Sequence, residues 1–160
     1  MKYIIARFNE DISWSDGLDR FVVQKGEHVP NTGREASSWL WYIVQHYDEL
    51  EGTYAFRQGT PDGPYHGLMW GSGNAAWEKL TYDHDLQPLA DHLEIELPEL
   101  LLYSLGAQYD VPAEVIFLRP KEWYEKALLA ADTWDRAAYL FERLWPHIWN
   151  NQATPWTPNS

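Results

Sequence analysis

The chain has no cysteine in its 160 residues, which removes disulfides, thiolate metal sites and a cysteine nucleophile from consideration. Long apolar runs are missing as well, since no stretch approaches the ~18 consecutive apolar residues that a membrane-spanning helix needs. The run Met1-Lys2-Tyr3-Ile4-Ile5-Ala6-Arg7 is too short in apolar residues to read as a secretory signal. Basic residues are few and scattered, 12 Lys and Arg against 24 Asp and Glu, for a formal charge of -12. Neutralising a phosphate backbone takes a basic stripe, so nonspecific nucleic-acid binding is not expected. A metal ion or a few well-placed cations can still hold a phosphorylated ligand locally. Internal repeats are absent. Only the last ten residues, Asn151 to Ser160 with Pro155 and Pro158, have the composition of a loosely attached tail. The expectation is a cytoplasmic protein with one domain over residues 1–150 and a tail over 151–160.

What the chain does contain is aromatic: ten Trp, ten Tyr and five Phe, far above the content of a disordered chain. That demands a packed core or a stacking surface. A compact chain of this length buries roughly 70% of its unfolded surface, enough for one substantial core.

Hydrophobic spacing orders the elements. Tyr3 to Phe8 reads as a buried strand running into the polar cluster Asn9-Glu10-Asp11, and Phe21-Val22-Val23-Gln24 reads as a second strand ending at Lys25-Gly26. Ala36, Leu40, Ile43 and Tyr47 recur at three or four residues, with Trp39 beside them, which predicts a helix from about Arg34 to Tyr47. Thr53-Tyr54-Ala55-Phe56 is a third strand, ending at Arg57-Gln58-Gly59. Thr60 to Leu97 reads as long loops with one short helix near Ala75 to Leu80. Ala107 to Val111 is a further strand, Pro120 opens a helix to about Ala131, and a last helix from about Trp134 carries the apolar stripe Ala137, Leu140, Phe141, Leu144, Trp145 and Ile148. Strand, strand, helix, strand implies a mostly parallel sheet with helices on its faces. Such sheets bind ligands outside the carboxyl ends of their strands. Asn9, Glu10, Asp11, Lys25, Arg34 and Gln58 then converge on one edge.

The stretch Pro30-Asn31-Thr32-Gly33-Arg34-Glu35-Ala36-Ser37 delivers an Arg-Glu pair into the first turn of the helix. Unpaired N–H groups and the dipole at a helix start favour anions, and Arg34 beside them suits a phosphate or carboxylate. The plainer reading is that Glu35 complements the dipole while Arg34 lies in solvent. Glu142 and Arg143, read alone, describe the solvated shoulder of an amphipathic helix.

Taken in order, Phe8-Asn9-Glu10-Asp11-Ile12-Ser13-Trp14, Gln24-Lys25-Gly26, Pro30 to Ser37, Tyr47-Asp48-Glu49-Leu50, Phe56-Arg57-Gln58-Gly59, Gly106-Ala107-Gln108-Tyr109 and Phe141-Glu142-Arg143-Leu144-Trp145 resemble an uncharacterised domain-of-unknown-function family. That family, found in fungi and bacteria, is distantly similar to nucleotide-sugar glycosyltransferases of the GT-A fold. The resemblance implies a GT-A-like, Rossmann-like α/β domain that binds a nucleoside-diphosphate sugar and passes the sugar to an acceptor. It puts Asn9, Glu10, Asp11 and Lys25 against the nucleotide, and Asn31, Gly33, Arg34 and Glu35 at the donor, with Arg34 near its diphosphate. Glu142 becomes the base that takes the acceptor proton, and Arg143 offsets leaving-group charge. Where the fold's metal-binding Asp-x-Asp belongs, this chain has Gln58-Gly59, and a Gln amide is a poorer ligand than a carboxylate. Asp62 and His66 are the replacement ligands for Mn²⁺ or Mg²⁺, and Asp83-His84-Asp85 is a second candidate set.

Two other readings remain open on the sequence. One is a non-catalytic carbohydrate-binding or protein-interaction module, since Trp14, Trp39, Trp41, Trp70, Trp77 and Trp156 fit no single core pattern. The other is a metal-dependent hydrolase using Asp62, His66 and the Asp83-His84-Asp85 triplet.

Overall fold

A computed structural model describes residues 1–60, 75–79, 85–97, 100–104 and 108–149, with 75–79 and 100–104 described by their backbone. Three strands, β1 (Lys2–Arg7), β2 (Arg20–Gln24) and β3 (Thr53–Gln58), form the parallel part of a four-stranded sheet. β1 pairs with β2 on one side and with β3 on the other, and helix α1 (Arg34–His46) makes the crossing between β2 and β3. The sheet order thus reverses at β1, which creates a crevice between the carboxyl ends of β1 and β3. The expected mostly parallel α/β architecture is present. Its outer edge beside β3 is β6 (Tyr109–Pro112), which runs antiparallel.

Burial explains why these segments became strands. Ile4, Ile5 and Ala6 are buried in succession, as are Tyr54, Ala55 and Phe56, the continuous apolar pattern of strands covered on both faces. β3 and β6 are also joined by a buried ion pair: Arg57 Nη2 donates to Asp110 Oδ1 at 2.7 Å, and Arg57 Nη1 donates to the carbonyl of Tyr109 at 3.1 Å.

The chain departs from expectation between Thr60 and Leu97. Ala75–Lys79, expected as a short helix, is strand β4, paired antiparallel with β5 (Leu100–Ser104). The apolar run Leu100-Leu101-Leu102-Tyr103 supplies a hydrogen-bonding partner, and tertiary pairing overrides the helical propensity of Ala75-Ala76. A helix, α2 (Leu86–His92), also lies where loops were expected, burying Leu86, Leu89 and Ala90 at helical spacing. Residues 61–74 and the tail 151–160 lie outside the described residues.

A single-turn helix α3 (Ala113–Ile116) follows β6, and Pro120 then caps α4 (Lys121–Thr133) as the sequence predicts. The last helix, α5 (Ala137–Trp149), begins three residues after Trp134 and continues through Pro146. α1 is packed between the sheet and the pair α4 and α5. At its start, a Cβ on Gly33 would lie 1.7 Å from Ser37 Oγ and 2.7 Å from the carbonyl of Ala131. Only a glycine permits that approach. Ser37 Oγ donates to Asp132 Oδ1 at 2.6 Å, fixing the start of α1 against the end of α4.

Much of the aromatic content fills this core. Phe56 stacks on Trp149 at 5.5 Å, Trp149 on Trp145 at 5.0 Å, and Trp145 meets Trp39 at 5.4 Å. Trp39, Trp145 and Trp149 have no exposed surface.

Candidate functional site

The reversal of strand order puts a pocket of about 390 Å³ at the carboxyl ends of the parallel strands. Phe8 and Glu10 reach it from the loop after β1, Lys25 from the end of β2, and Gln58, Gly59 and Thr60 from the end of β3. Asn31, Arg34 and Glu35 close it from the start of α1, and Glu142 comes from α5. Residues from five separate stretches of chain thus meet at one crevice.

Hydrogen bonds set the shape of the rim. Arg7 Nη1 donates to Gln24 Oε1 at 2.8 Å, Gln24 Nε2 donates to the carbonyl of Phe8 at 2.6 Å, and Arg7 Nε donates to the carbonyl of Glu10 at 3.0 Å. These bonds tie the loop after β1 to the end of β2. Trp14 Nε1 donates to the carbonyl of Gly59 at 2.8 Å, tying the same loop to the end of β3. Glu10 folds back so that Oε2 accepts the backbone N–H of Phe8 at 2.7 Å.

The charges are unequal in state. Burial pushes the Glu35 carboxyl above its ordinary value; its own backbone N–H and the charges of Lys25 and Arg34 oppose that rise, and nearby Glu142 adds to it. Burial pushes Lys25 below its ordinary value, against the pull of Glu35 and Glu10 and with the help of Arg34. For Glu10, burial acts upward, but the N–H of Phe8, its own N–H and the Lys25 charge outweigh it, and the carboxyl is lowered. Glu10 is therefore held as an anion, while Glu35 takes up a proton more readily than an ordinary carboxylate. Titrating groups pushed in different directions inside one crevice are a marker of acid–base chemistry.

Arg34 has a φ of 49°, the left-handed region that a side chain other than glycine enters at a cost. Strain of that kind concentrates where a side chain must be aimed. The residue is exposed and lines the pocket, and the N–H groups of the helix start lie beside it.

A second hollow of about 690 Å³ adjoins the first at the α4–α5 junction. It shares Arg34, Glu35 and Glu142 with the strand-edge pocket and adds Asp132, Trp134, Asp135 and Tyr139.

Of the residues named from sequence, Glu10, Lys25, Asn31, Arg34, Glu35, Gln58 and Glu142 line the strand-edge pocket. Asn9 is exposed and is not part of that lining. Asp11 is also outside the lining; Oδ1 accepts the N–H of Ser13 at 2.9 Å, which lowers the carboxyl and caps a short turn. Gly33 serves helix packing. Arg143, 5% exposed, lies under the Tyr139 ring and donates to the Tyr139 hydroxyl and carbonyl. It is a buried part of α5, not its solvated shoulder. Asp62 and His66 lie outside the described residues, as do Asp83 and His84, while Asp85 pairs with Arg136 at 2.6 Å. Among the described residues no group of three or more His, Asp or Glu side chains is placed to hold a metal ion.

Sequence reasoning missed Phe8, which is 47% exposed and lines the pocket, and missed the α4–α5 hollow. The signal for Phe8 was its position one residue past a buried strand. The Trp residues named for a stacking surface divide: Trp39 is core, Trp41 is half-buried against His28 at 5.0 Å, and Trp14 is 37% exposed at the pocket rim. Trp70 and Trp156 lie outside the described residues, as does the side chain of Trp77. Among the described residues no helix is long and apolar enough to cross a membrane. No family model, curated protein or solved structure matches the chain.

Proposed function

We propose that this chain is a small glycosyl-transfer enzyme of GT-A-like design, in which a nucleoside-diphosphate sugar occupies the strand-edge pocket and a hydroxyl acceptor occupies the α4–α5 hollow. The observation that carries the reading is the sharing of Arg34, Glu35 and Glu142 by two adjoining hollows. A transfer reaction needs two substrates meeting at one set of groups, and this is where they meet.

In the reaction, the acceptor oxygen forms a bond to the anomeric carbon as the bond from that carbon to the diphosphate oxygen breaks. Glu142 takes the acceptor proton, and Arg34 with Lys25 offsets the charge released on the diphosphate. Glu35 lies close enough to Glu142 to feel its charge and, lining both hollows, stands beside the base as the acceptor proton moves. A divalent cation, where bound, would add charge compensation at the diphosphate.

A thermal-shift screen against uridine, guanosine, cytidine and thymidine diphosphate sugars, with and without Mn²⁺, tests the reading. A ligand at a hundred times its Kd stabilises the fold by about 2.7 kcal/mol, which is readily measured. Glu142→Gln is expected to retain donor binding while lowering transfer by about 10²-fold or more. Failure of every donor to stabilise the protein, or full activity in Glu142→Gln, would overturn the proposal.

A further inference from the structure

At the opposite end of the sheet, a third hollow of about 670 Å³ opens beside the amino ends of β1 and β3 and the last turn of α1. Its lining includes Asp19, Tyr42, His46, Glu49, Glu51 and Lys2. The carbonyl end of a helix carries partial negative charge, and three carboxylates surround it here. Among the described residues of the lining, Lys2 and the amino group of Met1 oppose them, while His46 Nδ1 is already 3.6 Å from Glu49 Oε2.

Tyr42 is the informative residue. It is 3% exposed, its ring stacks on His46 at 4.3 Å and meets Phe21 at 5.2 Å, and it lines the hollow. Yet its hydroxyl has no hydrogen-bond partner among the described residues. Neighbouring tyrosines differ: Tyr54 Oη accepts the N–H of Glu51 at 3.0 Å, and the Tyr124 hydroxyl donates to the carbonyl of Ile116 at 2.8 Å. The side chain is buried on every other side and presents this hydroxyl to the hollow, so whatever occupies the hollow, water or ligand, completes it. Burial, together with the fields of Tyr54, Asp19 and Glu49, pushes the Tyr42 phenol up to about 12. The phenol therefore stays neutral, with lone pairs to offer an N–H donor. An anion is disfavoured by the surrounding carboxylates, and among the described residues no group is set for a metal ion.

We propose that this hollow binds an organic ammonium ion, an aliphatic amine or diamine whose N–H donors are met by the Tyr42 hydroxyl and the carboxylates of Asp19, Glu49 and Glu51. The site is separate from the strand-edge pocket and does not depend on the glycosyl-transfer reading.

Calorimetric titration of the whole chain with putrescine, using 1,4-butanediol as the uncharged match in shape, tests it at low salt. Putrescine is expected to bind saturably and the diol not at all. Tyr42→Phe keeps the ring and its packing, and should weaken putrescine roughly tenfold, the effect of one hydrogen bond to a charged group. Asp19→Asn with Glu49→Gln, both at exposed positions, should weaken it by roughly tenfold or more. Absence of saturation by about 10 mM, equal binding of the diol, or an unchanged Kd in Tyr42→Phe would overturn the proposal.

Discussion

Gly59→Ala should be coupled to Glu10 more strongly than to any global property of the fold. A Cβ at position 59 would lie 2.6 Å from Glu10 Oε2, 2.9 Å from its Cδ and 3.2 Å from the carbonyl of Ala6. The first two contacts are too short to persist, and the obstacle is the mobile end of a side chain, so the Glu10 carboxylate gives way and the backbone stays. Displacing it surrenders the bond from the Phe8 N–H at 2.7 Å. That bond is charge-assisted but partly exposed, so its loss costs about 1 kcal/mol. The alanine returns about 0.4–1 kcal/mol by restricting the unfolded chain. The single substitution is therefore nearly neutral to mildly destabilising. In a Glu10→Ala background the clash with the carboxylate is gone, whereas the Ala6 contact is unchanged and cancels. Urea unfolding of the four proteins in this cycle should give a coupling energy of about 1 kcal/mol. Additivity within about 0.3–0.5 kcal/mol would refute the placement of Glu10 against Gly59.

Two further expectations concern the start of α1. Because Arg34 sits at a φ of 49°, Arg34→Gly should be more stable than Arg34→Ala by about 1 kcal/mol in denaturant titration, since only glycine enters that region without steric cost; the reverse order would remove strain from the argument. Burial, the first cause, raises the folded pKa of Glu35 above the ordinary value of a glutamate carboxyl. The stability it contributes is fully present below about pH 4.5 and is lost as pH rises through the folded value. Glu35→Gln should therefore gain on the native protein between pH 4 and pH 8, read as a growing difference in urea midpoint, and a difference independent of pH would contradict the burial of this carboxyl.

The legible parts of the molecule were those where one chain segment determines its own environment. The period of Ala36, Leu40 and Ile43 located α1 to within a residue, and the apolar runs at Ile4 and Tyr54 located β1 and β3, because burial on both faces leaves a local trace. The parallel order let Lys25, Arg34 and Gln58 be placed at one edge before any coordinates. What stayed hidden depends on partners distant in sequence. Ala75–Lys79 is a strand only because Leu100–Ser104 lies beside it, and Arg143 is buried only because of where α5 packs. The packing role of Gly33 was equally invisible, since the carbonyl it approaches belongs to Ala131, almost a hundred residues away. Asp11 misled for a local reason: a short polar side chain after a strand caps a turn as readily as it meets a ligand.

The balance of charge in the strand-edge pocket limits what it can bind. Glu10, held ionised by the N–H of Phe8 and by Lys25, offsets one cation, and Glu142 faces Glu35 closely enough to raise it. Lys25 and Arg34 are therefore matched by carboxylates before any ligand arrives, and the pocket is not a generic anion trap. A diphosphate gains most where it can displace carboxylate charge from Lys25, and it does so at lower cost if Glu35 is protonated, because the neutral acid no longer competes for the same cations. Protonation of Glu35 also relieves its repulsion with Glu142. In the proposed transfer reaction the protonation state of this half-buried carboxyl therefore bears on both substrates at once, because Glu35 lines both hollows.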